Sequence, residues 1–127
     1  MTDATPTAQP LAGRAVLIVE DQYLIADEMC ALVERLGGTV VGPAARVSAA
    51  LAALASHRPD LALLDVNLDG ERIYPVAEAL REAGIPFVFM TGYDPWAIDS
   101  RFSDAPHLEK PIGLPALQGM LRSLGLA

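Results

Sequence analysis

The sequence predicts a doubly wound α/β domain, a parallel sheet with helices on both faces, and three observations predict it. Short uninterrupted apolar runs rich in branched side chains recur along the chain, as expected of strands buried on both faces. Segments whose apolar residues fall three and four apart, one face of a helix, alternate with them. The strand-then-helix unit occurs five times, and right-handed crossovers turn such repeats into parallel neighbours. A length of 127 residues suits one such domain, and 52% apolar against 20% charged residues provides a core and excludes the composition of a disordered chain.

Residues 1–13 are rich in Thr, Ala and Pro without periodicity, which predicts a flexible N-terminal tail ahead of a domain spanning 14–127. Ala15-Val16-Leu17-Ile18-Val19 is the first buried strand and ends in two acids, Glu20 and Asp21. Ile25, Met29, Leu32, Val33 and Leu36 then mark one helical face, stopped by Gly37-Gly38. Thr39-Val40-Val41-Gly42 is a weaker strand before Pro43, and Val47, Ala50, Leu51 and Leu54 line a second helix ending near His57-Arg58-Pro59. Leu61-Ala62-Leu63-Leu64 repeats the buried-strand pattern and again ends in an acid, Asp65. Residues 66–72 read as loop. Pro75 suits a first helical turn, with Val76, Leu80 and Ala83 on the helix face and Gly84 ending it. Phe87-Val88-Phe89-Met90 is a further buried strand, terminating in Thr91-Gly92-Tyr93. Pro95 interrupts residues 94–105, whose apolar positions share no face, so a short or mobile helix is expected there. His107-Leu108-Glu109 is a brief strand before Lys110-Pro111, and Leu117, Leu121 and Leu124 face inward from the last helix.

Composition narrows the function. Sixteen acids against nine bases give a formal charge of −7, whereas binding a phosphate backbone or an anionic membrane needs clustered positive charge. A single cysteine, Cys30, excludes an internal disulfide. No run approaches the roughly 20 apolar residues of a membrane span, and the N-terminus lacks the pattern of a secretion signal, so a cytoplasmic protein is expected.

In open α/β sheets ligands sit outside the carboxyl ends of the strands. There the topology gathers Glu20 and Asp21, then Asp65, then Thr91, then Lys110, the only lysine in the chain. Three carboxylates that close together repel, so they take up protons or bind a hard cation. All-oxygen donors with open positions suit Mg2+ completed by water and a phosphate. The rotatable ammonium of Lys110 can pair with a carboxylate in one state and a phosphoryl oxygen in another. Taken singly, each residue has an ordinary reading: Asp21 as a helix cap, Glu20 as a solvated strand-end charge, Thr91 as a turn hydroxyl. Their shared edge is what singles them out.

From about residue 14 to 125 the chain resembles the receiver domain of two-component response regulators. The resemblance rests on the acid pair Glu20-Asp21, on Asp65 within Leu63-Leu64-Asp65-Val66-Asn67-Leu68, on Thr91, and on Lys110 followed by Pro111. It implies a flavodoxin-like sheet of order 2-1-3-4-5 and a cis Lys110-Pro111 peptide. It makes Asp65 the phosphoacceptor for a sensor histidine kinase or a histidine phosphotransfer protein. Asp21, Asp65 and the carbonyl of Asn67 would hold Mg2+ or Mn2+, with Glu20 acting through water. Thr91, Gly92 and Lys110 would hold the phosphoryl group. Movement of Thr91 would alter a surface read by a downstream protein, without turnover catalysis.

Two departures bear on output. His107 stands three before the lysine, where the family has an aromatic switch, and reads either as a plain edge-strand residue or as a pH-sensitive one. Phe89-Met90-Thr91-Gly92-Tyr93 resembles the loop of an atypical group, which makes Tyr93 a candidate output residue. With about two residues after the last helix, a stand-alone module without an output domain is expected. The alternatives are a Mg2+-dependent phosphohydrolase, which Asn67 disfavours by replacing the second acid of an Asp-x-Asp motif, and a pseudo-receiver that only binds partners.

Overall fold

The computed structural model describes residues 9–92 and 98–126. In chain order these form β1 (Ala15–Val19), α1 (Tyr23–Arg35), β2 (Thr39–Ala44), α2 (Val47–Ser56), β3 (Leu61–Asp65), β4 (Asn67–Leu68), β5 (Glu71–Arg72), α3 (Tyr74–Ala83), β6 (Phe87–Thr91), a 3-10 turn at Ser100–Phe102, β7 (His107–Glu109) and α4 (Leu114–Ser123). The main sheet is parallel, in the order β2-β1-β3-β6-β7. With the small β4–β5 pair set aside, this is the expected 2-1-3-4-5.

Alternation along the central strands divides the interior in two. Leu17, Val19, Ala62 and Leu64 face α2 and α3, whereas Val16, Ile18, Leu61 and Leu63 face α1 and α4. Both sets are fully buried, which explains the uninterrupted apolar runs. Polar residues therefore enter the sheet only at the strand ends.

The structure departs from the sequence reading at three places. The tail reading fails for residues 9–13, because Leu11 is completely buried among Val33, Leu36 and Leu121, and its amide donates to the Leu36 carbonyl at 3.0 Å. One leucine in a Pro/Ala/Gly stretch has no periodic partner to announce it. The strand expected to stop at Gly42 resumes after a bulge and pairs Ala44 with Val19. Gly42 adopts φ +97°, and a Cβ there would lie 2.8 Å from the Ala44 nitrogen, so glycine makes the bulge possible. The expected loop 66–72 contains the antiparallel pair β4–β5, closed by Asp69 (φ 51°) and Gly70 (φ 87°), both left-handed as a type I′ turn demands.

In the segment 94–105, residues 94–97 lie outside the described ones, as does Tyr93. The remainder is held by Phe102 rather than by a helical face. Its ring stacks on Tyr74 at 5.4 Å and meets Phe87 and Phe89 edge-on, while the Tyr74 hydroxyl accepts the Asp99 amide at 2.6 Å. No helix among the described residues is long and apolar enough to cross a membrane.

The burial of Leu11 generates a stability prediction. Leu11→Ala should cost about 2–4 kcal/mol in chemical denaturation. A loss below about 0.5 kcal/mol, the range of an exposed position, would show that residues 9–13 do not pack.

Candidate functional site

Each strand of the sheet's centre delivers one polar residue to the carboxyl edge. Glu20 follows β1, where its amide donates to the Ala44 carbonyl at 2.9 Å, and its side chain turns inward until only 2% remains exposed. Asp65 is the last residue of β3 and Thr91 the last of β6, both buried. Lys110 follows β7, joined to β6 by its amide donating to the Thr91 carbonyl at 2.7 Å, and the Lys110-Pro111 peptide is cis.

The ammonium of Lys110 is the hub. Its Nζ lies 2.6 Å from Glu20 Oε1 and 3.2 Å from Asp65 Oδ1. Among the described residues Glu20 Oε1 has no other partner, while Oε2 accepts the Gln22 amide at 3.1 Å. Asp65 Oδ1 also accepts the Asn67 amide at 3.3 Å, and Asn67 Oδ1 accepts the Gly70 amide at 3.1 Å. Thr91 Oγ1 is buried with no hydrogen-bond partner among the described residues. Leaving such a hydroxyl unpaired costs about 1–3 kcal/mol, so an acceptor brought close to it would be bound strongly.

One ammonium does not neutralise three carboxylates. Oxygens of Glu20, Asp21 and Asp65 all lie within 4.8 Å of one another. Burial, reinforced by a hydrogen bond with Glu20 and by its charge, pushes the Asp65 carboxyl up to about 7, although Lys110 and the Asn67 amide pull the other way. Burial also raises Glu20, but Lys110, the Gln22 amide and Asp65 together outweigh it and hold Glu20 below its usual range. The two neighbouring carboxyls are thus pushed apart, Asp65 upward and Glu20 downward. Asp21, half-buried, is raised by burial and by Glu20, with Asp69 adding to it. An all-oxygen set with excess negative charge fits a small, hard divalent cation.

Sequence reasoning located Glu20, Asp21, Asp65, Thr91 and Lys110 at one edge, and the structure brings them together there. Gly92, exposed, borders a cleft of about 380 Å³ with Gln22, Lys110 and Pro111. Asn67 reaches the site through its amide. His107 is exposed on the edge strand β7, and Tyr93 lies outside the described residues. Asp69 and Glu71 were overlooked, although Asp69-Gly70 is a hairpin signal that would have placed them.

The family profile described as "Response regulator receiver domain" matches residues 16–122. The chain belongs to that family. Among curated proteins, this receiver domain is 33% identical over 111 residues to the sensory transduction protein LytT of Bacillus subtilis (strain 168), covering 84% of the chain and 46% of LytT. The first three curated relatives are all LytT proteins, and the chain spans less than half of each. Among solved structures, SdrG from Sphingomonas melonis Fr1 superposes with a TM-score of 0.80 at 44% identity, covering 91% of this chain and 97% of that one. The BeF3-activated conformation of SdrG gives 0.76 at 42% identity, covering 94% and 98%.

The raised Asp65 carboxyl makes stability depend on pH. Between the ordinary value of 3.8 and about 7 the folded receiver domain holds a proton that the unfolded chain has lost. Stability should therefore fall as pH rises through that interval, by at most about 1.4 kcal/mol per unit. Asp21, also raised, acts in the same sense, whereas Glu20, being lowered, contributes stability that is lost only as pH falls below its ordinary 4.5. Melting in metal-free buffer from pH 5 to 8 should show this decline in the wild type and much less of it in Asp65→Asn. Equal declines in both proteins would contradict the assignment.

Proposed function

We propose that this receiver domain takes a phosphoryl group from a phosphohistidine of a sensor histidine kinase, or of a histidine phosphotransfer protein, onto Asp65. The observation that carries the reading is the Lys110 ammonium shared between Glu20 and Asp65, beside a buried Thr91 hydroxyl with no partner among the described residues. SdrG provides support, since beryllium trifluoride is a chemical stand-in for a phosphoryl group on a carboxylate.

Asp65 Oδ1 is engaged by Lys110 and the Asn67 amide, so we assign Oδ2 as the attacking oxygen. With the Asp65 proton lost to solvent, the new O–P bond forms as the P–N bond to the imidazole breaks, its electron pair returning to the ring. Asp21, Asp65 and the Asn67 carbonyl would hold Mg2+ or Mn2+, with Glu20 behind them, and the ion would supply positive charge against the phosphoryl oxygens. Lys110 transfers its contact from Asp65 to a phosphoryl oxygen while keeping Glu20. Charge placed in advance is most of what a loose phosphoryl-transfer transition state requires. Thr91 Oγ1 and the Gly92 amide then gain a phosphoryl acceptor.

Drawing Thr91 inward shifts the chain that follows β6, and with it the surface offered to a downstream protein. Asp65 is consumed as acceptor, so the chain acts as a signalling module rather than a turnover enzyme. For the donor, Tyr23 and Leu24 are 82% and 75% exposed at the start of α1, one residue past the acid pair and beside the cleft that Lys110 and Ile112 line. Exposed apolar groups at the rim of the site suit a helix that presents a phosphohistidine. The cytoplasm, where kinase and partner meet, is the compartment this reading requires.

Incubation with Mg2+ and acetyl phosphate, followed by intact-mass measurement, should show one phosphoryl adduct on the wild type, none on Asp65→Asn, and slower formation on Lys110→Ala. An adduct that survives Asp65→Asn would refute Asp65 as the acceptor.

A further inference from the structure

We propose that Glu71 is a positioning residue for the phosphoacceptor loop: by capping α2 it holds in place the hairpin that carries Asn67 and Asp69 beside Asp65 and Asp21. The inference rests on the cation site of the preceding section and adds to it a residue that touches neither ion nor substrate.

Helix α2 begins without a cap of its own. Its N-cap residue, Arg46, makes no side-chain bond to the first turn, which contains no acid. The cap comes instead from 24 residues away, where Glu71 Oε1 accepts the Val47 amide at 3.0 Å. A carboxylate there satisfies a donor that has no helical partner and meets the positive end of the helix dipole.

The other end of this tether is the hairpin. Glu71 pairs with Leu68, and Arg72 with Asn67, in a ladder only two residues long per strand. A ladder so short is marginal by itself and needs outside anchors. Leu68, 3% exposed in the α2–α3 core, is one, and Glu71 on α2 is the other. Next to and between these anchors lie the parts that face the site. The Asn67 amide bonds Asp65, and Asp69 is near enough to Asp21 to raise it. Asp21, Asp69, Gly70 and Glu71 line a common cleft with Arg46. Releasing Glu71 would leave Asn67 and Asp69 free to drift from the carboxylates, and a site whose supporting contacts loosen loses affinity for its ion.

Calorimetric titration of the whole chain with Mg2+, paired with amide hydrogen exchange in metal-free buffer, tests this. Glu71→Ala should weaken Mg2+ about tenfold and speed exchange at Asn67 and Gly70. Glu71→Gln keeps an oxygen that can accept the Val47 amide and should stay within about twofold of wild type. Val47→Pro removes the donor from the other side at a position where proline suits a helix start, and Arg46 is already extended (φ −141°, ψ 157°), as a residue before proline prefers. It should match Glu71→Ala, and it decides the question should Glu71→Ala fail to fold. Wild-type Mg2+ affinity and unchanged exchange in a folded Glu71→Ala or Val47→Pro would overturn the proposal. Absence of Mg2+ binding by the wild type would instead overturn the cation site, leaving the exchange rates to decide the tether separately.

Discussion

Crowding three carboxylates around one ammonium at the edge of an apolar sheet is the constraint on which the rest of the structure turns. Glu20 and Asp65 have little exposure, so water screens them poorly, and each must be neutralised by something within a few ångströms. Lys110 provides part of that, at 2.6 and 3.2 Å, and the Asp65 carboxyl, pushed up to about 7, can provide more by taking up a proton. The resulting balance responds to any added charge. A divalent cation held there would compete with the proton, and a phosphoryl group would take a share of the ammonium. Such a pocket favours whatever added charge offsets its crowded carboxylates.

The fold makes such crowding possible by spending its apolar residues elsewhere. The central strands β1, β3 and β6 are buried on both faces, so they form a rigid comb whose tips alone carry polar groups. Parallel pairing puts those tips at one edge, and β7 adds Lys110 through its backbone bond to Thr91. Rigid strands set the distances between the charges, and the surrounding loops tune them. The hairpin after Asp65 and the turn after Glu20 each add an amide aimed at a carboxylate oxygen.

Most of this was legible because it follows from periodicity. Runs such as Ala15–Val19 and Phe87–Thr91 have one physical reading, and the residue ending each run must face the edge where ligands sit. What remained illegible depended on tertiary partners that no local pattern encodes. Leu11 is buried by α1 and α4 rather than by neighbours in sequence. Phe102 anchors its segment through a stack on Tyr74, 28 residues away, and so leaves no helical face to read. Glu71 caps a helix that begins 24 residues earlier. Asp69-Gly70 was a local signal that the chain did carry, and its I′ turn places the overlooked Asp69 near the acid pair.

The central claim is that burial, with Glu20 beside it, raises the Asp65 carboxyl enough to hold a proton that a divalent cation would displace. Calorimetry of Mg2+ binding in buffers of different ionisation enthalpy measures that exchange directly. With the Asp65 carboxyl at about 7, binding should release close to one proton per ion near pH 6 and progressively fewer toward pH 8. Binding that releases no proton anywhere in that range would contradict the account.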